Sequence, residues 1–403
     1  MRQKTTLVMV ATTLILAAGS WASAETVLYS FGGYSGDGYS PYSALVADAE
    51  GNLYGTTFSG GAGYGTVFEL VLSGGNYSEV LLHTFVGGET DGEYPQDGAL
   101  VFDKAGNLYG VTYEGGTAGA GTVFEMSLSG GTWTETLLHS FAGFPKDAGY
   151  PLAPLSFDKV GHLFGTTYYG GAHNVGAVFE MTESKGKWTC KVIHSFSEGN
   201  GGSYPLGGLV LGKDGDYYGT TSEGGFTYNA GTVYRLSEAS GAWVSQTVYV
   251  FSGGKSGTYP YAGLSMDAAG NFYGTTYEGG TADFGTVYEL TLGENDKYTH
   301  HVLHSFQGGD SDGSYPYYEG VIVDAKGNLY GTTYQGGSTS DGGCVYELKL
   351  TSGKYEEVIL HAFGSSGDGA YPRAGVILVN GKLMGTTSAG GAHGVGTVFE
   401  VAP

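Results

Sequence analysis

Short runs of aromatic, aliphatic and β-branched residues alternate with glycine-rich turns along most of the chain. In one representative unit these runs cover residues 99–103, 107–113, 122–126 and 135–141, and each has the length of a short β-strand. The turn at 103–106, Asp-Lys-Ala-Gly, fits a type I turn because Asp opens such turns and Gly adopts the positive φ that follows. The pattern predicts an all-β protein made of four-stranded antiparallel units.

The four-strand unit occurs seven times, with a period of roughly 55 residues. A proline precedes the first strand of every unit, at intervals of 54 to 56 residues. Four short strands per repeat is typical of propeller blades, so we predict one seven-bladed β-propeller domain over residues 25–403. The prolines that mark the period are Pro41, Pro95, Pro151, Pro205, Pro260, Pro316 and Pro372.

The two ends of the repeat array complement each other. The fourth strand of a unit carries a Leu-His-Ser-Phe motif, as at 138–141, but the last unit stops at Pro403 before such a strand. The segment Thr26–Phe31 has the missing pattern. We therefore expect this segment to complete the last blade and remove an open sheet edge, with the post-proline strands innermost and the Leu-His-Ser-Phe strands outermost.

Residues 1–24 differ from the repeats. Arg2 and Lys4 precede an apolar run over 7–18, and Ala22-Ser23-Ala24 fits a cleavage site. These features predict a secretory signal peptide and a mature protein that is secreted, periplasmic or on the cell surface. The alternative, an uncleaved anchor helix, calls for a longer apolar run, and we expect no membrane span in the mature chain.

Acidic residues dominate the charge of the chain. The formal net charge is −22, and removal of residues 1–24 makes it −24. Such a surface repels nucleic acid and anionic lipid and suits neutral or cationic partners. Cys190 and Cys344 fall three blades apart, too far to form a disulfide, and we expect a monomer.

Three motifs recur among the repeats: GNLYGTT, GGxxGxGTVFEL and LHSF. With them, essentially the whole mature chain resembles the Gloeo/Verruco (GloVer) tandem repeats of bacterial surface and secreted proteins. The resemblance implies export and a propeller-like array. Members often end in one of several anchoring tails, whereas this sequence ends directly after a strand. The resemblance implies no activity and no catalytic residue.

Two ionisable residue types recur at fixed repeat positions, and we interpret both sets as structural. Zinc requires all its ligands about 2 Å from one ion, and we expect outer-strand residues of different blades to lie too far apart for that. The Asp/Gly loops at 89–92 and 310–313 resemble loose calcium turns, although Asp and Gly also simply make turns. We therefore predict no metal or cofactor, with Ca²⁺ in these loops as the alternative. One set is Glu69, Glu125, Glu180, Glu289, Glu347 and Glu400, with Arg235 in the seventh copy; the other is His83, His139, His194, His304 and His361, with Tyr29 and Tyr249.

The positions where the repeats disagree are the better candidates for a site. Residues just after each proline begin the innermost strands and should surround one mouth of the central channel. Blades three and four contribute Leu152 and Leu206 there, whereas the other blades contribute aromatic and polar residues. His393 occupies a loop on the same face, at the position that His173 holds in blade three. The candidate ligand-binding residues are Tyr42, Gln96, Asp97, Tyr261, Tyr317, Tyr318, Glu319, Arg373 and His393.

Aromatic rings and carboxylates at a concave mouth suit a polar ligand such as a sugar. The leading hypothesis is therefore a binding or scaffold propeller for a glycan or a protein. The alternative is a polysaccharide-active enzyme: a lyase with Tyr317 or His393 as base and Arg373 against a substrate carboxylate, or a hydrolase with Asp97 and Glu319. A third hypothesis is a purely structural protein without a ligand, in which the residues at the channel mouth differ among blades by random drift.

Overall fold

The predicted propeller is confirmed by a computed structural model, which describes residues 25–225, 228–293, 297–318 and 320–403. Seven four-stranded antiparallel sheets follow one another along the chain, and within each the post-proline strand is at the inner edge. From inner to outer strand, the first four blades comprise Val46–Ala47, Leu53–Thr57, Thr66–Ser73 and Asn76–Thr84; Val101–Phe102, Leu108–Thr112, Thr122–Ser129 and Thr132–Ser140; Ser156–Phe157, Leu163–Thr167, Ala177–Ser184 and Lys187–Ser195; and Val210–Leu211, Tyr217–Thr221, Thr232–Ala239 and Ala242–Val250.

The remaining blades have the same order, and two-stranded ribbons lie beside several of them. Blades five to seven comprise Ser265–Met266, Phe272–Thr276, Thr286–Leu292 and Tyr298–Ser305; Ile322–Val323, Leu329–Thr333, Cys344–Thr351 and Lys354–Ala362; and Ile377–Val379, Lys382–Thr387, Thr397–Val401 and Thr26–Ser30. The ribbons pair Gly38–Tyr39 with Ser59–Gly60, Gly92–Glu93 with Glu114–Gly115, Ala148–Gly149 with Tyr169–Gly170, Gly313–Ser314 with Gln335–Gly336, and Gly369–Ala370 with Ala389–Gly390.

The N-terminal strand closes the ring as the sequence predicted. Thr26–Ser30 pairs antiparallel with Thr397–Val401, and Thr26 lies opposite Glu400. The next residue, Phe31, is completely buried, and its ring meets that of Phe68 in blade one at 5.1 Å. The strand therefore joins the last blade by its backbone and the first blade by its side chains.

The repeated Gly-Thr-Thr segment explains how the second and third strands pack. A Cβ at Gly110 would lie 2.5 Å from Cζ of Phe124, so only glycine lets the aromatic ring cover the second strand. At the end of the same strand, the hydroxyls of Thr112 and Thr122 share a buried hydrogen bond of 2.7 Å. The motif thus places one ring in the core of each blade and one hydroxyl pair in five of the seven, since blade three has Ala177 and blade six has Cys344 in place of the second threonine.

The strand lengths differ from those predicted. The innermost strand of blade two pairs only over Val101–Phe102, whereas the outer hairpin extends over Thr122–Ser129 and Thr132–Ser140. The hairpin extends because its distal part continues the ladder with exposed side chains beyond the apolar core. Hydrophobic pattern alone does not mark such a continuation.

The structural interpretation of the repeated glutamates is confirmed, since each bonds within its own blade. Tyr54 donates a 2.8 Å hydrogen bond to Glu69, and three further tyrosine hydroxyls bond the equivalent glutamate. Lys382 forms a 3.2 Å ion pair with Glu400. In blade four, Arg235 replaces the glutamate and pairs with Asp216, so the interaction persists with its charges reversed.

The described helical segments are the short 3₁₀ turns Gly254–Ser256 and Gly309–Ser311. In the part of the chain that the structure describes, no helix is long and apolar enough to cross a bilayer.

Three tyrosines in the blade cores occupy positions where phenylalanine is expected to give a more stable protein. The hydroxyls of Tyr234, Tyr288 and Tyr346 are buried and have no hydrogen-bond partner among the described residues, whereas blade two has Phe124 at this position. Because an unsatisfied buried hydroxyl costs about 1–3 kcal/mol, Tyr288→Phe is expected to raise the free energy of unfolding by about 1 kcal/mol. Urea denaturation checks this, and a variant less stable than the wild type would contradict it.

Candidate functional site

Aromatic rings surround the face of the propeller where the innermost strands begin. The residue after the proline stacks on the aromatic residue that follows the second strand of its own blade. The ring centroids of Tyr261 and Tyr277 are 5.0 Å apart, and those of Tyr42 and Phe58 are 4.9 Å apart. The channel mouth is therefore lined by rings that neighbouring rings hold in place.

Arg373 lies among three of these rings. Its guanidinium carbon is 4.0 Å from the ring centroid of Tyr42, 4.7 Å from that of Tyr317 and 5.4 Å from that of Tyr318. Arginine over an aromatic face is stabilised by the ring quadrupole, by about 2 kcal/mol or more when water is excluded. The arrangement brings blades one, six and seven together at one point.

Asp97 supplies the opposite charge, from inside the protein. It is only 2% exposed, and neither carboxylate oxygen accepts a hydrogen bond from any residue the structure describes. Burial raises the pKa of Asp97 to about 7, and the positive charge of Arg373 limits the increase. Burial by itself would lower the pKa of Arg373, but Asp97 and the tyrosines hold it above its ordinary value.

A cavity of about 260 Å³ opens at the mouth beside this cluster. Tyr261, Tyr317 and Tyr318 line one side, and Leu152 and Leu206 of the apolar blades line the other. Its volume approaches the lower end for ligand pockets, about 300–1,000 Å³. The apolar residues of blades three and four thus line the same cavity as the aromatic residues of blades five and six.

Tyr318 lies at the boundary between two cavities. It also lines a space of about 190 Å³ further along the channel, together with innermost-strand residues such as Ser265 and Ile322. Most blades have a small residue at the position of Tyr318, for example Ala153 and Ala262. The large ring of Tyr318 therefore narrows the channel at one level.

Not every candidate residue joins this cluster. Gln96 lines the 260 Å³ cavity. Exposed His393 lies instead beside Gly32 and Gly33, in the loop after the N-terminal strand. Glu319 lies outside the described residues.

A larger cavity, about 770 Å³, lies away from the mouth, between blades two and three. Trp188, Tyr109 and Glu125 line it. Tyr109 bonds Glu125 at 2.9 Å, which is the blade-core interaction repeated around the ring. Size alone therefore does not distinguish this groove from an ordinary junction between blades.

Sequence reasoning missed a second set of polar clusters, at the outer edges of three blade junctions. The interpretation that outer-strand residues of different blades cannot converge is wrong there, because adjacent outer strands pack side by side. A histidine of one outer strand, an aspartate of the following loop and a glutamate of the next outer strand come together at each junction. The clusters are His83, Asp91 and Glu135; His304, Asp312 and Glu357; and His361, Asp368 and Glu25.

The glutamates of these clusters are electrostatically unusual. Burial, together with the adjacent aspartate, raises the pKa of Glu357 to about 8. The same causes raise that of Glu25 to about 9. The sequence carried a signal for this, since the glutamates share one repeat position four residues before the histidine position.

Solved structures with the same fold include a candidate 6-phosphogluconolactonase from Bacteroides uniformis. It is 15% identical, with a TM-score of 0.51 over 79% of this chain and 85% of that one. Another is PorZ, a surface component of the type-IX secretion system of Porphyromonas gingivalis, which is 16% identical with a TM-score of 0.53. That match covers 91% of this chain and 47% of PorZ, so this chain spans about half the length of PorZ. At such identities the similarity shows the fold alone.

No curated protein matches the sequence. The Gloeobacter/Verrucomicrobia repeat family matches it over residues 18–225, 63–268 and 206–403, overlapping segments that reach the C-terminus. These segments include all seven blades and the strand that closes the ring. The chain therefore belongs to the Gloeobacter/Verrucomicrobia repeat family.

Proposed function

We propose that the protein is an exported carbohydrate-binding propeller whose binding site is the aromatic channel mouth. The observation that carries this proposal is the position of Arg373 on three tyrosine rings, within electrostatic reach of the buried carboxylate of Asp97. A cation held this way keeps its charge and stays fixed in place. It can therefore donate hydrogen bonds to a ligand without first being ordered.

The chemistry around Arg373 favours a sugar over other ligands. Sugars combine a polar rim of hydroxyls with apolar C–H faces, and the cavity offers the matching groups. Gln96 provides an amide, Tyr261 and Tyr317 provide hydroxyls and ring faces, and Leu152 provides apolar surface. The net charge of −22 disfavours strongly anionic polymers at long range.

Binding fits the geometry better than acid–base catalysis. His393, one of the two residues suggested as the base of a lyase, lies beside Gly32 and Gly33 in the loop after the N-terminal strand instead of at the Arg373 cluster. Depolymerisation of any polysaccharide by the purified protein would favour the lyase or hydrolase alternative.

The test is an array of neutral and acidic polysaccharides, followed by calorimetric titration of the strongest ligand. Tyr261→Ala is expected to weaken binding at least ten-fold, about 1.4 kcal/mol, because it removes a ring that lines the cavity. Tyr228→Ala is the matched control: Tyr228 is 62% exposed and outside the cluster, so its loss should leave the affinity unchanged.

Two results would overturn the proposal. One is the absence of binding to every polysaccharide at micromolar concentrations of folded protein. The other is equal affinity of the wild type and Tyr261→Ala for a ligand that does bind.

A further inference from the structure

Three blade junctions repeat the same arrangement of a nitrogen and two carboxylates. In each, the candidate ligand atoms lie within 4.8 Å of one another. The histidine Nε2 is 3.3 Å from Asp91 at the first junction, 3.2 Å from Asp312 at the second and 3.1 Å from Asp368 at the third. The next blade supplies the glutamate in every case, so each cluster links two blades.

The carboxylates of the clusters are largely buried, and not all of their oxygens are satisfied. Side-chain exposure is 7% for Asp91, 9% for Asp312 and 4% for Glu25. One oxygen of each glutamate, Oε1 of Glu25, Glu135 and Glu357, is buried without a hydrogen-bond partner among the described residues, as is Oε1 of Glu79 at the tyrosine junction. A buried acceptor without a donor is costly, and in the three clusters a bound cation would satisfy it.

The junction of blades seven and one offers a comparison with the three histidine, aspartate and glutamate clusters. There the histidine position holds Tyr29, whose hydroxyl is 3.1 Å from Asp37 Oδ2 and 2.9 Å from Glu79 Oε2. A hydroxyl proton thus lies between the two carboxylates. At the three junctions that combine histidine with both carboxylates, the imidazole takes the place of that hydroxyl and offers a nitrogen ligand.

We propose that the three junctions that combine histidine, aspartate and glutamate each bind a divalent transition-metal ion of the zinc type. Ligand atoms about 2.0–2.2 Å from a tetrahedral zinc stand about 3.4 Å apart, close to the His–Asp separations here. An imidazole with two carboxylates favours Zn²⁺ over Ca²⁺, which prefers six or more oxygens. The ion neutralises the two carboxylates of each junction and links adjacent blades.

This assignment changes the role of the Asp/Gly loops. Asp91 and Asp312 belong to the two loops that resemble calcium turns, but each accepts loop amide hydrogen bonds and also faces a histidine. The loops therefore present one carboxylate oxygen each toward a mixed nitrogen–oxygen site.

The test is metal titration of the tag-free protein after chelator treatment and dialysis. Calorimetry and elemental analysis should give about three equivalents of bound Zn²⁺, and Zn²⁺ should raise Tm. Glu135→Gln and Glu357→Gln should each remove one equivalent. Glu79→Gln, at the tyrosine junction, is the matched control and should remove none.

Several outcomes would overturn the proposal. They are less than one equivalent at micromolar free zinc, three equivalents retained in the Glu135→Gln/Glu357→Gln double variant, or saturation by Ca²⁺ but not Zn²⁺. If Glu135→Gln does not fold, His83→Gln removes a ligand of the same site from the other blade and must lose the same equivalent.

Discussion

Replacing Phe31 with alanine is expected to lower the free energy of unfolding by about 3–5 kcal/mol, as for other buried aromatic truncations. Phe31 is fully buried and packs edge-on against Phe68, where the N-terminal strand meets blade one. Urea denaturation measures the loss. Hydrogen exchange measures its location: amides of the strand Thr26–Ser30 should exchange about 100-fold faster or more, since each 1.4 kcal/mol is about ten-fold.

Phe141→Ala is the matched control for this variant. Phe141 holds the same repeat position in blade two, is also fully buried and packs on Phe179 at 5.1 Å. Its loss should cost similar stability but leave exchange in Thr26–Ser30 slow. Unchanged protection of that strand in Phe31→Ala would contradict the idea that this ring secures the closure.

Replacing Asp97 with asparagine is expected to stabilise the protein, and more so at high pH. The pKa of Asp97 is about 7 in the folded state and about 4 in an unfolded chain. Between these values the folded state binds more protons, so the contribution of Asp97 to stability falls as pH rises. The shift of about three pKa units corresponds to about 4 kcal/mol lost by pH 8, and asparagine avoids that loss.

Urea denaturation of Asp97→Asn and wild type at pH 5 and pH 8 checks the sign. The advantage of the variant should be about 2–3 kcal/mol larger at pH 8 than at pH 5. The exposed Asp310→Asn serves as control and should change stability by less than about 0.5 kcal/mol at either pH. An advantage that is the same at both pH values would contradict the raised pKa of the buried Asp97 carboxylate.

The fold was predictable because the pattern that encodes it is local and repeated. The motif around Gly110 and Thr112 occurs seven times, so a substitution in any one copy did not obscure the pattern. The strand Thr26–Ser30 has the sequence pattern of the fourth strand that the last repeat lacks. The length of the outer hairpins was not predictable, because exposed residues extend them by backbone pairing alone.

The sites were only partly predictable, because they depend on contacts between repeats. Disagreement among the repeats pointed to Arg373 and Tyr42. In the structure the guanidinium carbon of Arg373 is 4.0 Å from the ring centroid of Tyr42. It did not indicate that Asp97 is buried, since that follows from how tightly the innermost strands surround the channel. The junction of His83 with Glu135 was missed because the two residues belong to different repeats and meet only when blades pack.

Closure by the N-terminal strand has a consequence for the order of folding. Thr26 cannot meet Glu400 until the whole array exists, so the first strand made is the last to be paired. The entropic cost of that loop is modest, because each doubling of loop length adds only about 0.6 kcal/mol. The effect of closure on folding is therefore kinetic. Until the final blade has formed, the edge strands of the first and last blades can pair with other chains. The yield of refolded protein should therefore rise as the protein concentration during refolding is lowered.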